Sequence, residues 1–578
     1  MDLFMTRSLL SISWFFCLCC AGTSSCAEDP ETLLRLVPDD MHLCVVLDNL
    51  REKSARSKDD DFLTHALKNM PYLQSLANSP DADKLKKFQK QIQHELGITF
   101  EQIRDDLLGD VVVLALKQHN GEKGDNQDHK IFMIRARDEK LLATSFGRLN
   151  QMMKKSGEIK EILTRKYSDY EYVERQRNKN GSATQDFCYL SGNLLIYSDQ
   201  EAALKNVLDR LAEVHKKKNR FSYWMQSKGR LGDPRALISI YLNPRAYDAE
   251  FQSSMKDAPR IDSSIRKEFY NYWKAIDGVC LALVLEKNLD ISVSLDVRTG
   301  DLPVAARAFF AEFGKPSALW SVIPKDALFA LSARLPPTAM AQVLAGFVDP
   351  SQRDEMQSAL EVGLRPFLAE NAKAADLLNG FEPDVGFWIQ APESATSSWV
   401  PRAILALPTS SHEMGRTTQT TFHNVIQFMI TAAQINDPQL KVHHSKHDGI
   451  DIKSLKHDKR FPVGFQPAFA SKNNYLLVAS SPSCIQQFRL PARQESKEGG
   501  VTPVCRISVT AWRQYLQEHK EGMAPFLEQS LGLPRGSGSQ ILTRLAENLR
   551  PFAALEIYVQ GSKNKGVVTL HITASMTK

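Results

Sequence analysis

One order of secondary-structure signals runs through this chain twice, and that repetition limits the fold more than any single motif does. The first copy opens on Val37-Pro38-Asp39-Asp40 and an apolar run from His42 to Leu47; the second opens on Ile323-Pro324-Lys325-Asp326 and a run from Leu328 to Leu331. Each reads as a turn feeding a strand. A helical region follows in both, Phe62 to Leu108 and Thr338 to Leu378. A second strand then begins at Asp110 in one copy and Asp384 in the other, and a third covers Ile131–Ala136 and Ala403–Leu407, each leading to a helix.

The closest match is ungapped, Phe187 to Ser198 against Phe469 to Ser480. Both segments predict strand, tight turn, strand, helix. Ser191-Gly192-Asn193 and Lys472-Asn473-Asn474 are residues that accept positive φ, as a two-residue hairpin turn requires. Ser198-Asp199-Gln200-Glu201 reads as a capping box, with Leu204, Val207, Leu208 and Leu211 at helical spacing behind it. The second copy places Ser481 to cap and Pro482 at the first helical position. Ala236–Tyr241 matches Val504–Val509 near the end of each copy, and the closing segments Ile291–Val297 and Val568–Thr573 alternate apolar with polar residues, the pattern of antiparallel strands with one wet face. The offset between copies drifts from about 268 to 286 residues, as small loop insertions produce. The expected fold is α+β, two tandem pseudo-repeats, each a mainly antiparallel sheet with helices packed on one face. The expected bounds are 1–27 for a signal peptide, 28–314 for the first repeat and 315–578 for the second.

Charge and cysteine usage exclude several classes of function. The 72 basic and 67 acidic side chains of the 578 residues leave a formal charge of +5, spread along the chain, so no strong field toward nucleic acid is built in. The basic run His215 to Arg220 follows a predicted helix and reads as a solvated helix end. Arg7 and the apolar stretch Leu9–Gly22 form a short n-region and h-region, with Ser25-Cys26-Ala27 as a small-x-small cleavage site. Cleavage near Ala27 into the periplasm or medium is expected, with lipidation of Cys26 and a retained anchor as the competing readings. No later segment is apolar over the length needed to span a bilayer. Cys44, Cys188, Cys280, Cys484 and Cys505 are single and far apart, which is not a disulfide framework; four of them lie in strand-like apolar runs.

Val37-Pro38-Asp39-Asp40 before a strand ending in Asp48-Asn49-Leu50, then Leu107-Leu108-Gly109-Asp110 before the next, behind a signal peptide, resembles a group of uncharacterised exported bacterial proteins of planctomycete type carrying a domain of unknown function. The resemblance covers most of the first half and, more weakly, the second. It implies compartment and fold class, and brings no catalytic residues.

Local motifs carry little chemistry. His443-His444-Ser445-Lys446-His447 tempts a metal reading, since imidazoles four apart share an ion on a helix. The segment's apparent counterpart in the first copy, Ser168–Val173, is strand-like, however, and residues four apart on a strand are about 13 Å distant. His443 and His447 are therefore weak metal candidates. Gly536-Ser537-Gly538-Ser539 lacks the strand and lysine of a phosphate loop, and the chain has no serine-hydrolase elbow or HExxH. Asp59 to Asp61 read as a solvated acidic run. Phe221, Tyr223 and Trp224 form an aromatic cluster able to stack a ligand. No catalytic residue and no cofactor is expected. The pattern points to a non-enzymatic binding or structural protein using the cleft or sheet face between two repeats, with a protein or cell-envelope ligand as partner. The alternative is a hydrolase assembled from both halves, with Asp110 and Asp384 as its first suspects.

Overall fold

The computed structural model describes residues 31–55, 93–94, 96–118, 129–179, 182–213, 221–222, 231–256, 263–285, 289–368, 373–393, 398–491, 501–550, 552–561 and 567–576. The expected signal peptide, Cys26, Asp59–Asp61, the basic run 215–220, Tyr223 and Trp224 lie outside them, as does most of the 62–108 region. The chain divides into two compact units, residues 1–254 with 277–296, and residues 255–276 with 297–577. Helix Ser263–Ala275 thus packs within the second unit, where Phe269 meets Phe347 edge-on at 5.0 Å.

The first unit holds β1 (Leu43–Asp48), β2 (Val111–Lys117), β3 (His129–Arg135), β4 (Ile159–Tyr167), β5 (Tyr170–Lys179), β6 (Ser182–Ser191), β7 (Leu194–Ser198), β8 (Ile238–Leu242), β9 (Ile276–Leu285) and β10 (Leu289–Arg298). Its strands lie in the order β10-β9-β8-β1-β2-β3-β7-β6-β5-β4. The second holds β11 (Phe329–Arg334), β12 (Asp384–Gln390), β13 (Arg402–Pro408), β14 (Lys441–His447), β15 (Ile450–Lys456), β16 (Ala468–Lys472), β17 (Tyr475–Ala479), β18 (Val501–Ser508), β19 (Phe552–Gly561) and β20 (Val567–Met576). Their order is β20-β19-β18-β11-β12-β13-β17-β16-β15-β14, the same arrangement strand for strand. Every pairing with a described register is antiparallel, so the chain is α+β, two units of one topology.

Register corrects the alignment of the copies. Ser191 pairs with Leu194 across one turn and Lys472 with Tyr475 across the other, which equates Leu194 with Tyr475 and Ile196 with Leu477. The ungapped text match is one residue out, and along a strand one residue exchanges the two faces. The burial of Ile196 and Leu477 follows the corrected register. Stepping across the sheet, Ile131 pairs with Ser198 and Ile404 with Ala479; Ala115 then pairs with Ile131 and Trp388 with Ile404. Asp384 therefore stands where the first unit has Val111, and its equivalence with Asp110 is lost. Likewise Leu242 and Ile507, facing Leu43 and Phe329, are the equivalent positions in β8 and β18, three residues from the sequence match.

Core packing follows from the alternation. On one face of the first sheet Cys44, Val46, Val113, Ala115, Ile131 and Ile196 meet Leu33, Leu34 and the buried stripe Leu204, Val207 and Leu208 of helix α2 (Glu201–Ala212). Fully burying one such leucine is worth about 2 kcal/mol. The predicted capping box is absent: the helix starts at Glu201, Ser198 Oγ accepts from Gln200 N, and Glu201 instead takes the hydroxyl of Tyr172. The opposite face carries α1 (Glu139–Lys155), tied down by Arg175 of β5. Arg175 stands directly across from Asp186, bonds it at 2.5 Å, and donates to Asn150 of α1 at 3.0 Å. In the second sheet, Ala330, Trp388, Ile404 and Leu477 line one face, and α3 (Glu413–Asn436) lies over the other, held by Lys453.

Candidate functional site

The second unit contains a cavity of about 540 Å³ among Trp388, Gln390, Arg402, Ile404, Gln487 and Arg489, with Ser321, Val322, Pro324, Ala403, Cys484, Phe488 and Leu490 completing its wall. Strand alternation builds its floor and mouth. Trp388 faces Ile404 across the β12–β13 ladder, both buried, and two residues along on the same face Gln390 stands opposite Arg402, at the edge. The roof is α4 (Pro482–Gln487), six residues long, with proline at its first position as the sequence predicts, although Ser481 makes no capping bond. Phe488 then takes extended backbone angles and stacks on Trp388 at 6.2 Å, while Lys472 Nζ satisfies its carbonyl at 2.8 Å.

Helix α4 is shorter than its equivalent in the first unit. Counted from the equivalent strands β7 and β17, Leu204 corresponds to Ile485 and Val207 to Phe488, and each of the four is buried. Leu208 of the first unit, fully buried, corresponds to Arg489, which is exposed. Helix α2 runs twelve residues and buries Leu208 in the first unit's core; α4 is half that length, and Arg489 at the corresponding position lines the cavity. The sequence carried this signal: the apolar helical stripe of the first copy is broken in the second by Arg489 and Pro491, which cannot continue a helix.

The site's charge is one-sided. Among the described residues, Arg402 and Arg489 are the charged ones of the wall, and no carboxylate or histidine lines it. Arg402 donates through Nη1 to Glu393 Oε1 at 2.6 Å and to Gln487 Oε1 at 2.9 Å, and through Nε to the Ala391 carbonyl at 3.3 Å. Gln487 Nε2 also donates to Glu393, at 2.6 Å. Arg489 makes no ion pair or hydrogen bond among the described residues. Cys484 contacts Ser481 Oγ at 3.2 Å, and Ser321 donates to the Ala318 carbonyl at 2.7 Å. Among the described residues no base stands beside either group, and the wall they form offers anion and apolar contacts.

The residues singled out in the sequence lie elsewhere. His443 and His447 are exposed on β14, the terminal strand of its sheet, where they pair with Ser454 and Ile450. Their counterpart is β4, ending at Tyr167 before the turn at Ser168, so the match to Ser168–Val173 is one strand out. The extended reading of the segment holds, and no three metal-ligating side chains converge among the described residues. His457 is buried: its Nδ1 accepts from Lys459 N and Arg460 N, which puts the proton on Nε2, 3.0 Å from Asp437. It shapes a loop. Phe221 is fully buried in the first unit's core, which removes it as a surface stacking residue. Asp384 sits 3.7 Å from Arg334, and its buried Oδ1 has no hydrogen-bond partner among the described residues; burial raises its pKa above the ordinary carboxylate value. No known protein family, curated protein or solved structure matches the chain.

Proposed function

We propose that this chain is an exported, non-enzymatic binding protein of the periplasm or cell surface, which takes a small ligand in the cavity of its second unit. The observation that carries the reading is the difference between two units of one topology: one buries Leu208 in its core, and the other puts Arg489 at that position on the wall of an aromatic-floored space of about 540 Å³, a size typical of ligand pockets. Among the described residues the wall presents two guanidiniums and no base, which favours binding over hydrolysis. Export rests on the basic and apolar N-terminal pattern before Ala27, and no helix among the described residues is long and apolar enough to cross a membrane.

Two experiments test this. N-terminal sequencing of the protein recovered from cell envelope and medium should begin at Glu28; an intact Met1 in the cytoplasm refutes export. A thermal-shift screen of the chain from Glu28 against small metabolites, lipids, glycans and cell-wall fragments should give stabilising ligands, because a ligand that binds only the folded state raises Tm. Val322→Trp, which fills the cavity, should abolish the shift. Ligands that bind Val322→Trp as well as the parent protein place the site elsewhere.

A further inference from the structure

We infer that the cavity is selective for a ligand carrying one carboxylate on an apolar body, with Arg402 and Arg489 holding the anion at the mouth and Trp388 and Phe488 packing the body, while Glu393 competes for Arg402 from outside the wall. This rests on the reading of the cavity as a binding site. The two ends of the space differ in chemistry. Its depth is Trp388, Ile404 and Phe488, buried and apolar, where a second charge would lose its water without a partner. Its rim has two guanidiniums and the amides of Gln390 and Gln487, and among the described residues no acid. Guanidinium groups match a carboxylate with paired N–H donors, and such charge-assisted bonds are stronger than neutral ones.

Glu393 supplies the second half of the inference. Its carboxylate meets Arg402 and Gln487, both at 2.6 Å, yet its side chain is 60 % exposed while that of Arg402 is 19 % exposed. A solvent-facing ion pair of this kind is weak. Arg402 Nη2 makes no hydrogen bond among the described residues, so the guanidinium keeps donors for an incoming anion while part of its charge is neutralised by Glu393. Removing that negative charge raises the potential at the mouth and strengthens binding of an anion, with no effect on a neutral ligand.

The test is calorimetric titration of the chain from Glu28 with octanoate and 3-phenylpropionate, and with octanol, 3-phenylpropanol and octylammonium as matched neutral and cationic probes. The carboxylates should bind about tenfold more tightly than the alcohols, the size of effect one charge-assisted hydrogen bond gives. Glu393→Gln should tighten carboxylate binding severalfold and leave alcohol binding unchanged. Arg402→Gln with Arg489→Gln should erase the preference while Tm without ligand stays near that of the parent. Equal affinity for carboxylate and alcohol, or weaker carboxylate binding in Glu393→Gln, overturns the anion inference and leaves the binding site standing. Absence of binding by every probe, with Cys484 labelling unaffected by each, overturns both.

Discussion

Lys453 of β15 donates its ammonium to His423 Nε2 of α3 across 2.7 Å, a cation paired with an imidazole that must be neutral at that nitrogen. The first unit fixes its equivalent helix, α1, with Arg175 and Asp186, a cation paired with an anion. The two units thus anchor one element to one sheet face by different chemistry, and the two anchors should respond differently to acid.

For His423, burial first and then the Lys453 ammonium hold the imidazole pKa below its usual 6.5; His444 adds to the depression and Asp451 opposes it. The unfolded chain therefore takes up the proton before the folded one does. The stabilising contribution is complete above about pH 6.5 and is lost as pH falls from there through the lower folded value. Urea midpoints from pH 7.5 to pH 5 should fall more steeply for the parent protein than for His423→Gln. Equal slopes would show that the pair carries no linkage.

Breaking the first unit's anchor should be costly in one direction only. Arg175 and Asp186 are both nearly buried, at 5 % and 2 % exposure, so Asp186→Ala strands a buried guanidinium and should cost about 3–5 kcal/mol in urea unfolding. Removing both charges with Arg175→Met and Asp186→Leu should recover most of that loss. A double variant as unstable as Asp186→Ala would mean that packing, and not the stranded charge, sets the cost.

Two glycines should respond with opposite signs to alanine. A Cβ at Gly538, on α6 (Ser537–Asn548), would lie 2.6 Å from the Ala524 carbonyl oxygen of α5 (Val509–Leu531), where the two helices touch. Gly538→Ala should cost about 1–3 kcal/mol by forcing the helices apart. Gly147, exposed in the interior of α1, has nothing within 4 Å of the new methyl, and Gly147→Ala should stabilise by about 0.5–1 kcal/mol through helix propensity. Thermal melts of the two variants check both signs.

The five cysteines of the chain from Glu28 should label slowly with a thiol reagent. All are buried and unpaired; burial pushes the thiols of Cys188 and Cys280 up to about 12 and raises that of Cys505, leaving almost no thiolate at neutral pH. Cys484 lines the cavity, so it should react first and be protected by bound ligand. Mass mapping of the first modified site checks this; equal rates at all five would argue against access through the cavity.

The sequence by itself determined the order of elements, the antiparallel character of both sheets and the extended state of the His443–His447 segment, because alternation, turn residues and capping preferences act over a few neighbours. It did not determine register. Val111 and Asp384 occupy one position in two sheets although Asp110 matches Asp384 by text, since a strand's setting is fixed by which face its partners bury. Nor could it show the cavity. Trp388, Arg402 and Arg489 come from separate elements and carry no motif, and the local signs, Arg489 and Pro491 breaking an apolar helical stripe, say that a helix ends but not what lies beside its end. Only tertiary packing decided that, because a space is defined by side chains from separate elements, and the position that buries Leu208 in one unit's core places Arg489 on the cavity wall in the other.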